Sequence, residues 1–160
     1  MTPAELLRRL GPRLWHVTAE VNGASIARHG LMTPHALARM AGVAPEALVL
    51  RADRRELTFR DGRAILNHQL PLRAGRGSAA AWLDGITIEE WSARLDRRVF
   101  FWVGKPDGAF RASVEADGHR IAVYSLCTRR LIDARVRDIW LSPINSGNAR
   151  RRPSPRGSWL

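Results

Sequence analysis

The sequence predicts an α+β fold in one compact domain, with N-terminal helices packed on short β-sheets. Three observations carry this prediction. Helix-start signals crowd roughly the first third of the chain, and β-prone runs dominate from Glu56 onward. The two kinds of segment do not alternate in the regular βαβ order that a parallel sheet requires. The chain has 160 residues, a length that is most simply one domain and can bury a core without disulfides. The expected division is a domain over 1–147 and a basic Arg/Pro-rich arm over 148–160.

Each element has a local reason. Thr2-Pro3-Ala4-Glu5 reads as a capping box with Pro at the first helical position, so a helix runs from Pro3 to about Leu10 and stops at Gly11-Pro12. Leu14 to Thr18 is a short strand. Asn22 is placed to cap a second helix, which Gly30 ends. Thr33-Pro34 starts a third, ended by Gly42, and Pro45 opens a helical segment to about Ala52. "ELTFRDGRAILNHQLPL" holds two β-prone runs around Asp61-Gly62, the composition of a type I′ turn. A loop follows, with one helical turn after Ser78. Thr87-Ile88-Glu89-Glu90 is a second capping box, opening a helix to about Asp96. "RRVFFWVG" reads as a strand too apolar to be an edge facing water. Residues 109–115 read as helical, "HRIAVYSLC" as a strand, and Thr128 as the cap of a helix to about Ala134. "RDIWLSPINSG" reads as a last strand running into a loop. The tail from Asn148 carries Arg150, Arg151, Arg152 and Arg156 with no acid, the composition of an extended or disordered arm.

Composition narrows the function classes. Cys127 is the single cysteine, so no intrachain disulfide can form, which fits a reducing compartment, most simply the cytoplasm. In "VYSLCTR" it reads as an inert core thiol rather than a nucleophile. The amphipathic start carries Glu5 and does not resemble a secretory signal, and no apolar run approaches the roughly 20 residues of a membrane span. The net charge is +11, and 25 of the 26 basic residues are Arg, Lys105 being the exception. Such a charge favours polyanions: nucleic acid, nucleotides or an acidic partner. A solvated surface shaped by a GC-rich coding bias is the plainer account of it.

The histidines are His16, His29, His35, His68 and His119, and none forms HExxH. With one cysteine no zinc knuckle is available, so no metal site is expected. GxGxxG after a strand, GxxxxGK[ST] and GxSxG are all absent, and no carboxylate pair stands out for glycosidase chemistry. Three clusters remain. His16 and Thr18, two apart on a strand, share one face beside the Asn22 helix. They read either as a partly buried histidine with a backbone partner or as a site for an anion or ribose hydroxyls. Alternation through "VFFW" puts Phe100 and Trp102 on one face and Phe101 on the other, as core packing or as stacking surface for a base or nicotinamide ring. "LSPINSGNARRRP" crowds Ser142, Asn145, Ser146 and Asn148 into a loop, as a polar turn or as part of a site. Arg60, His68 and Gln69 are weaker candidates.

In this order the clusters resemble the ADP-ribosyltransferase superfamily. His16-x-Thr18, a turn with Asn22, Ser25-Ile26 and His29-Gly30-Leu31 is similar to its first motif, nearest to the DarT-like DNA ADP-ribosyltransferases and the RNA 2′-phosphotransferases. "RVFFWVG" sits where the aromatic strand lining the nicotinamide side would be. The likeness covers about 20 residues specifically. The whole chain also resembles an uncharacterised family of small bacterial proteins sharing the His motif, the Phe-Phe-Trp strand and Ser-Pro-Ile-Asn-Ser-Gly, which brings no activity with it.

The first resemblance implies an ADP-ribosyltransferase-like fold binding NAD as substrate. His16 would hydrogen-bond the nicotinamide ribose or amide, supported by Thr18. Asn22 would cap the helix or touch the cofactor, and Phe100, Phe101 or Trp102 would wall the nicotinamide pocket. Ser142, Asn145 and Ser146 would close it. Transferases of this kind usually carry a late Glu, and "RDIWLSPINSG" has none. Asn145 is the candidate for that position, although a neutral amide cannot act as a carboxylate base. The implied activity is ADP-ribose transfer, with nucleic acid as an acceptor suited to the charge and Arg150, Arg151 and Arg152 as its contacts. Two alternatives stand beside it: a basic nucleic-acid-binding or toxin–antitoxin accessory module without chemistry, and an RNA 2′-phosphotransferase-like enzyme.

Overall fold

The computed structural model describes residues 1–73, 82–108, 112, 115, 118, 120–148 and 155–157. In chain order they form α1 (Pro3–Leu10), β1 (Arg13–Ala19), a 3-10 turn (Glu20–Asn22), α2 (Gly23–His29), α3 (Pro34–Met40), a 3-10 turn (Pro45–Leu48), β2 (Arg55–Phe59), β3 (Gly62–Leu66), α4 (Leu70–Arg73), β4 (Leu83–Asp84), α5 (Ile88–Asp96), β5 (Ile121–Cys127), α6 (Thr128–Arg135), a 3-10 turn (Val136–Asp138) and β6 (Arg156–Gly157). The class is α+β, with two-stranded sheets β1-β5, β2-β3 and β4-β6. The chain falls into two compact units, Met1–Gly23 with Phe100–Trp140, and Ala24–Val99 with Leu141–Leu160.

In the first unit α1 forms as its capping box dictates. The Thr2 hydroxyl accepts from the Glu5 amide at 3.2 Å, and the Glu5 carboxylate accepts from the Thr2 amide at 2.7 Å. Its amphipathic face buries Leu6 and Leu10, and α1 packs on α6, where Ile132 is buried. β1 pairs antiparallel with β5 in a register from Arg13↔Cys127 to Ala19↔Ile121. Four expectations fail here. The Phe-Phe-Trp segment is not a buried strand: it makes a single antiparallel bridge, Trp102 to Trp15, and leaves Phe100 42% and Trp102 40% exposed. Cys127 is exposed, because β5 ends there at the sheet margin. Thr128 lies inside α6 rather than capping it; Cys127 takes the cap position without a side-chain bond, and the Thr128 amide donates to the Pro12 carbonyl. The expected last strand is also missing among the described residues. Residues 136–138 turn tightly instead and leave Trp140 65% exposed.

Apolar clusters of described residues form the core of the second unit. One gathers Leu50, Leu72, Trp82, Ile88, Trp91 and Leu95; another gathers Ala38, Leu48, Leu57 and Leu66. α3 and α5 start at the expected caps, Thr33 accepting from the Ala36 amide and Thr87 from the Glu90 amide. The β2-β3 hairpin is present, but its turn is displaced. Phe59 pairs with Gly62, so the turn residues are Arg60 and Asp61, and neither has a positive φ. The turn is therefore not type I′. Gly62 serves close approach instead: a Cβ there would stand 2.9 Å from both a Phe59 ring carbon and the Ser25 Oγ. Asp61 is held from α2, by Arg28 on its carbonyl and by His29 Nε2 at 3.4 Å from its carboxylate.

The helix expected from Pro45 to Ala52 is only a 3-10 turn to Leu48. Tertiary bonds draw the next residues away from helix. The Leu50 amide donates to the Ser92 Oγ at 2.9 Å, with Leu50 at φ +52. Arg51 reaches α5, where its guanidinium donates to both Asp96 carboxylate oxygens at 3.0 and 2.8 Å. Gln69 completes the network, donating to Asp96 at 3.3 Å and accepting from Ser92 at 2.7 Å. Burial raises the Asp96 carboxyl above the usual carboxylate range, and Arg51 offsets this only in part.

Candidate functional site

Side chains directly opposite in an antiparallel pair share a face of the sheet. His16 stands opposite Tyr124, and Thr18 lies two residues along the same strand. One face of the first unit thus carries an imidazole, a hydroxyl and the chain's one phenol.

His16 is fixed from the Phe-Phe-Trp segment. Its Nδ1 lies 2.9 Å from the Phe100 carbonyl. A carbonyl only accepts, so Nδ1 carries the proton and Nε2 the lone pair. The Phe101 ring sits 5.9 Å from the imidazole at a tilt of 58°. Burial lowers the His16 pKa, and the bond to Phe100 offsets part of this. The ring is therefore a neutral acceptor at pH 7, held in one tautomer.

Asn22 stands directly before Gly23, the first residue of α2. It closes the 3-10 turn Glu20–Asn22 and donates its side-chain amide to the Thr18 Oγ1 at 2.8 Å. A hydroxyl both donates and accepts, so Thr18 retains a proton to offer. Gly23 follows, and a Cβ there would lie 3.1 Å from the Tyr124 hydroxyl. The missing side chain leaves room for the phenol to reach the start of α2. Tyr124 was not singled out from the sequence; its signal was its place opposite His16, legible only once β1 and β5 are in register.

Phe101 and Trp102 serve different faces. Phe101 is beside His16, whereas Trp102 bridges Trp15 and so shares the opposite face of the sheet with Trp15 and Ser125. Of the aromatic trio, Phe101 is the one set next to the imidazole.

Ser142, Asn145 and Ser146 belong to the second unit, and their loop is held through its backbone carbonyls. Trp91 Nε1 donates to the Ser146 carbonyl at 3.2 Å. Arg156 donates to the carbonyls of Asn145 at 2.9 Å and Asn148 at 2.6 Å. Ser142 turns onto the Ile144 carbonyl, and Asn145 is exposed. Arg156 is only 1% exposed, paired in β6 with β4, its guanidinium 4.8 Å from the Trp82 ring centre. That part of the tail is core, unlike the free arm its composition suggested. Arg150, Arg151 and Arg152 lie outside the described residues, as do His119, the segment after Ser78 and most of 109–115.

Among the described residues no group of three His, Cys, Asp or Glu is placed to hold a metal ion. No described helix is long and apolar enough to cross a membrane. No curated protein and no solved structure matches the chain. A family model does match, over residues 12–160, so the chain belongs to DUF7002, a family of unknown function.

Proposed function

We propose that this chain is an ADP-ribosyltransferase-like protein that binds NAD at the His16 face and transfers ADP-ribose, with nucleic acid as acceptor. The observation that carries the reading is the single-tautomer imidazole of His16 beside Phe101, on one sheet face with Thr18 and Tyr124. His16 Nε2 accepts a hydrogen bond from a ribose hydroxyl or the carboxamide. Thr18 and Tyr124 add hydroxyls, and Phe101 offers an aromatic edge to the nicotinamide. In the transfer the bond between nicotinamide and ribose C1 breaks, and nicotinamide leaves with the electron pair. The acceptor atom then bonds to C1 and gives up its proton. Such a step asks the protein mainly to orient the dinucleotide and shield the developing oxocarbenium charge.

Titration calorimetry with NAD and incubation with labelled NAD plus mixed nucleic acids test this. His16→Ala is expected to weaken NAD binding about tenfold, the value of one buried hydrogen bond. Unchanged binding and turnover in that variant would remove the assignment. The net charge of +11 favours a second reading, a nucleic-acid-binding module without chemistry. Affinity falling steeply with salt and no product from labelled NAD would select it.

A further inference from the structure

The site above uses one face of the β1-β5 sheet and leaves the other unexplained. That other face carries aromatic rings and cations in one row. Trp15 and Ser125 are opposite in register, and Trp102 is bridged to Trp15 from the other side. Trp102 is 40% exposed, and Phe100, two residues earlier, is 42% exposed. The Lys105 ammonium stands 5.8 Å from the Trp15 ring centre, and the Arg13 guanidinium donates to the Ser125 Oγ at 2.8 Å. Large aromatic side chains do not gain stability by facing water. Here the backbone fixes them there: Trp15 and Trp102 exchange amide–carbonyl bonds of 3.0 and 2.7 Å.

We propose that this face binds single-stranded nucleic acid. The exposed part of the Trp102 ring stacks a base, while Lys105 and Arg13 meet backbone phosphates. Charge selects this occupant over an apolar partner, because an apolar surface would have to desolvate both cations without compensating them. The aromatic rings select single strands over duplexes, whose bases are already stacked. No base-edge reading is involved, so sequence preference is weak and DNA and RNA strands both bind. The inference does not rest on the NAD reading, since it predicts binding without NAD and without turnover.

The test is fluorescence anisotropy of a short labelled oligothymidylate and oligouridylate titrated with the whole chain at low salt. Tryptophan quenching is read in parallel. Both strands are expected to bind and to quench, and a duplex of the same length to bind at least several-fold more weakly. Trp102→Ala should lose about tenfold in affinity, from the stacking of one base, and Trp102→Phe should recover most of it. Lys105→Ala is an exposed change that spares the sheet. It should reduce the salt slope by about 0.7, one phosphate contact on a single strand. Full affinity in both Trp102→Ala and Lys105→Ala would overturn the proposal. So would a duplex bound as tightly as a single strand, polyglutamate displacing the oligonucleotide equally well, or a face that instead pairs two copies of the chain.

Discussion

Removal of the Asp96 carboxylate tests the second unit most sharply. The Arg51 and Asp96 side chains are 11% and 8% exposed, and the guanidinium bonds both carboxylate oxygens. Asp96→Ala leaves a guanidinium that cannot give up its proton, with only the Leu48 and Asn67 carbonyls as remaining described acceptors. Breaking a buried pair from one side costs about 3–5 kcal/mol. At roughly 2–4 °C per kcal/mol for a chain of this size, the melting temperature falls by about 6–20 °C. Arg51→Met should cost clearly less, because the stranded carboxyl can take a proton, as its raised pKa already favours. The double variant Arg51→Met/Asp96→Leu should recover part of the loss. Urea unfolding of the three variants at pH 7, followed by tryptophan fluorescence, measures the order. A loss below about 1 kcal/mol for Asp96→Ala, or a larger loss for Arg51→Met, would refute the argument from stranded charge. The pH sign is also fixed. A carboxyl with a raised folded pKa contributes stability that is complete below 3.8 and lost as pH rises through the folded value, so acid does not unfold the protein through Asp96.

Three further outcomes follow from single contacts. NMR titration should place the His16 midpoint below 6.5. Its contribution to stability is then present above 6.5 and lost as pH falls through the lowered value, and His16→Gln should abolish that component. Gly62→Ala should destabilise by about 1–3 kcal/mol in thermal unfolding, because the added methyl meets the Phe59 ring and the Ser25 hydroxyl at 2.9 Å; an unchanged melting temperature would show that both move freely. Thr87→Ala should cost about 1 kcal/mol by removing the acceptor at the start of α5, measurable by denaturant titration with the slope unchanged.

What the sequence made legible was local, and what it hid was long-range. The caps at Thr2, Thr33 and Thr87 were readable because each bond closes within three residues. The end of α2 was readable because Gly30 sits at φ +76, where a side chain is strained. The segment after Pro45 misled because the contacts that end its turn come from Ser92 and Asp96, more than 40 residues away. The hairpin turn misled because Gly62 answers to Phe59 and Ser25 rather than to turn geometry. Arg156 misled for a similar reason: composition assigned it to a tail, whereas the carbonyls of Asn145 and Asn148 and the Trp82 ring supply partners for a buried guanidinium. At the candidate site the His16–Thr18 pairing followed from strand periodicity alone. Tyr124 did not, since it depends on the register of two strands far apart in sequence.

That register also decides how the aromatic segment divides its work. Trp15 and His16 are neighbours on one strand, and Phe101 and Trp102 are neighbours on the segment beside it, so each pair must split between the two faces. The bonds between Trp15 and Trp102 set the phase of both splits at once. With Trp102 matched to Trp15, Phe101 falls beside His16, and the Phe100 carbonyl comes within 2.9 Å of Nδ1. A slip of one residue would exchange the two sets, turning Phe101 to the face of Arg13 and Lys105 and Trp102 toward the imidazole. The bridge therefore has a consequence for both faces: the same pair of hydrogen bonds sets the tautomer of His16 and leaves the Trp102 indole 40% exposed. Loss of that bridge is expected to affect the proposed nucleotide binding at His16 and the proposed strand binding at Trp102 together, whereas side-chain changes confined to one face are expected to separate them.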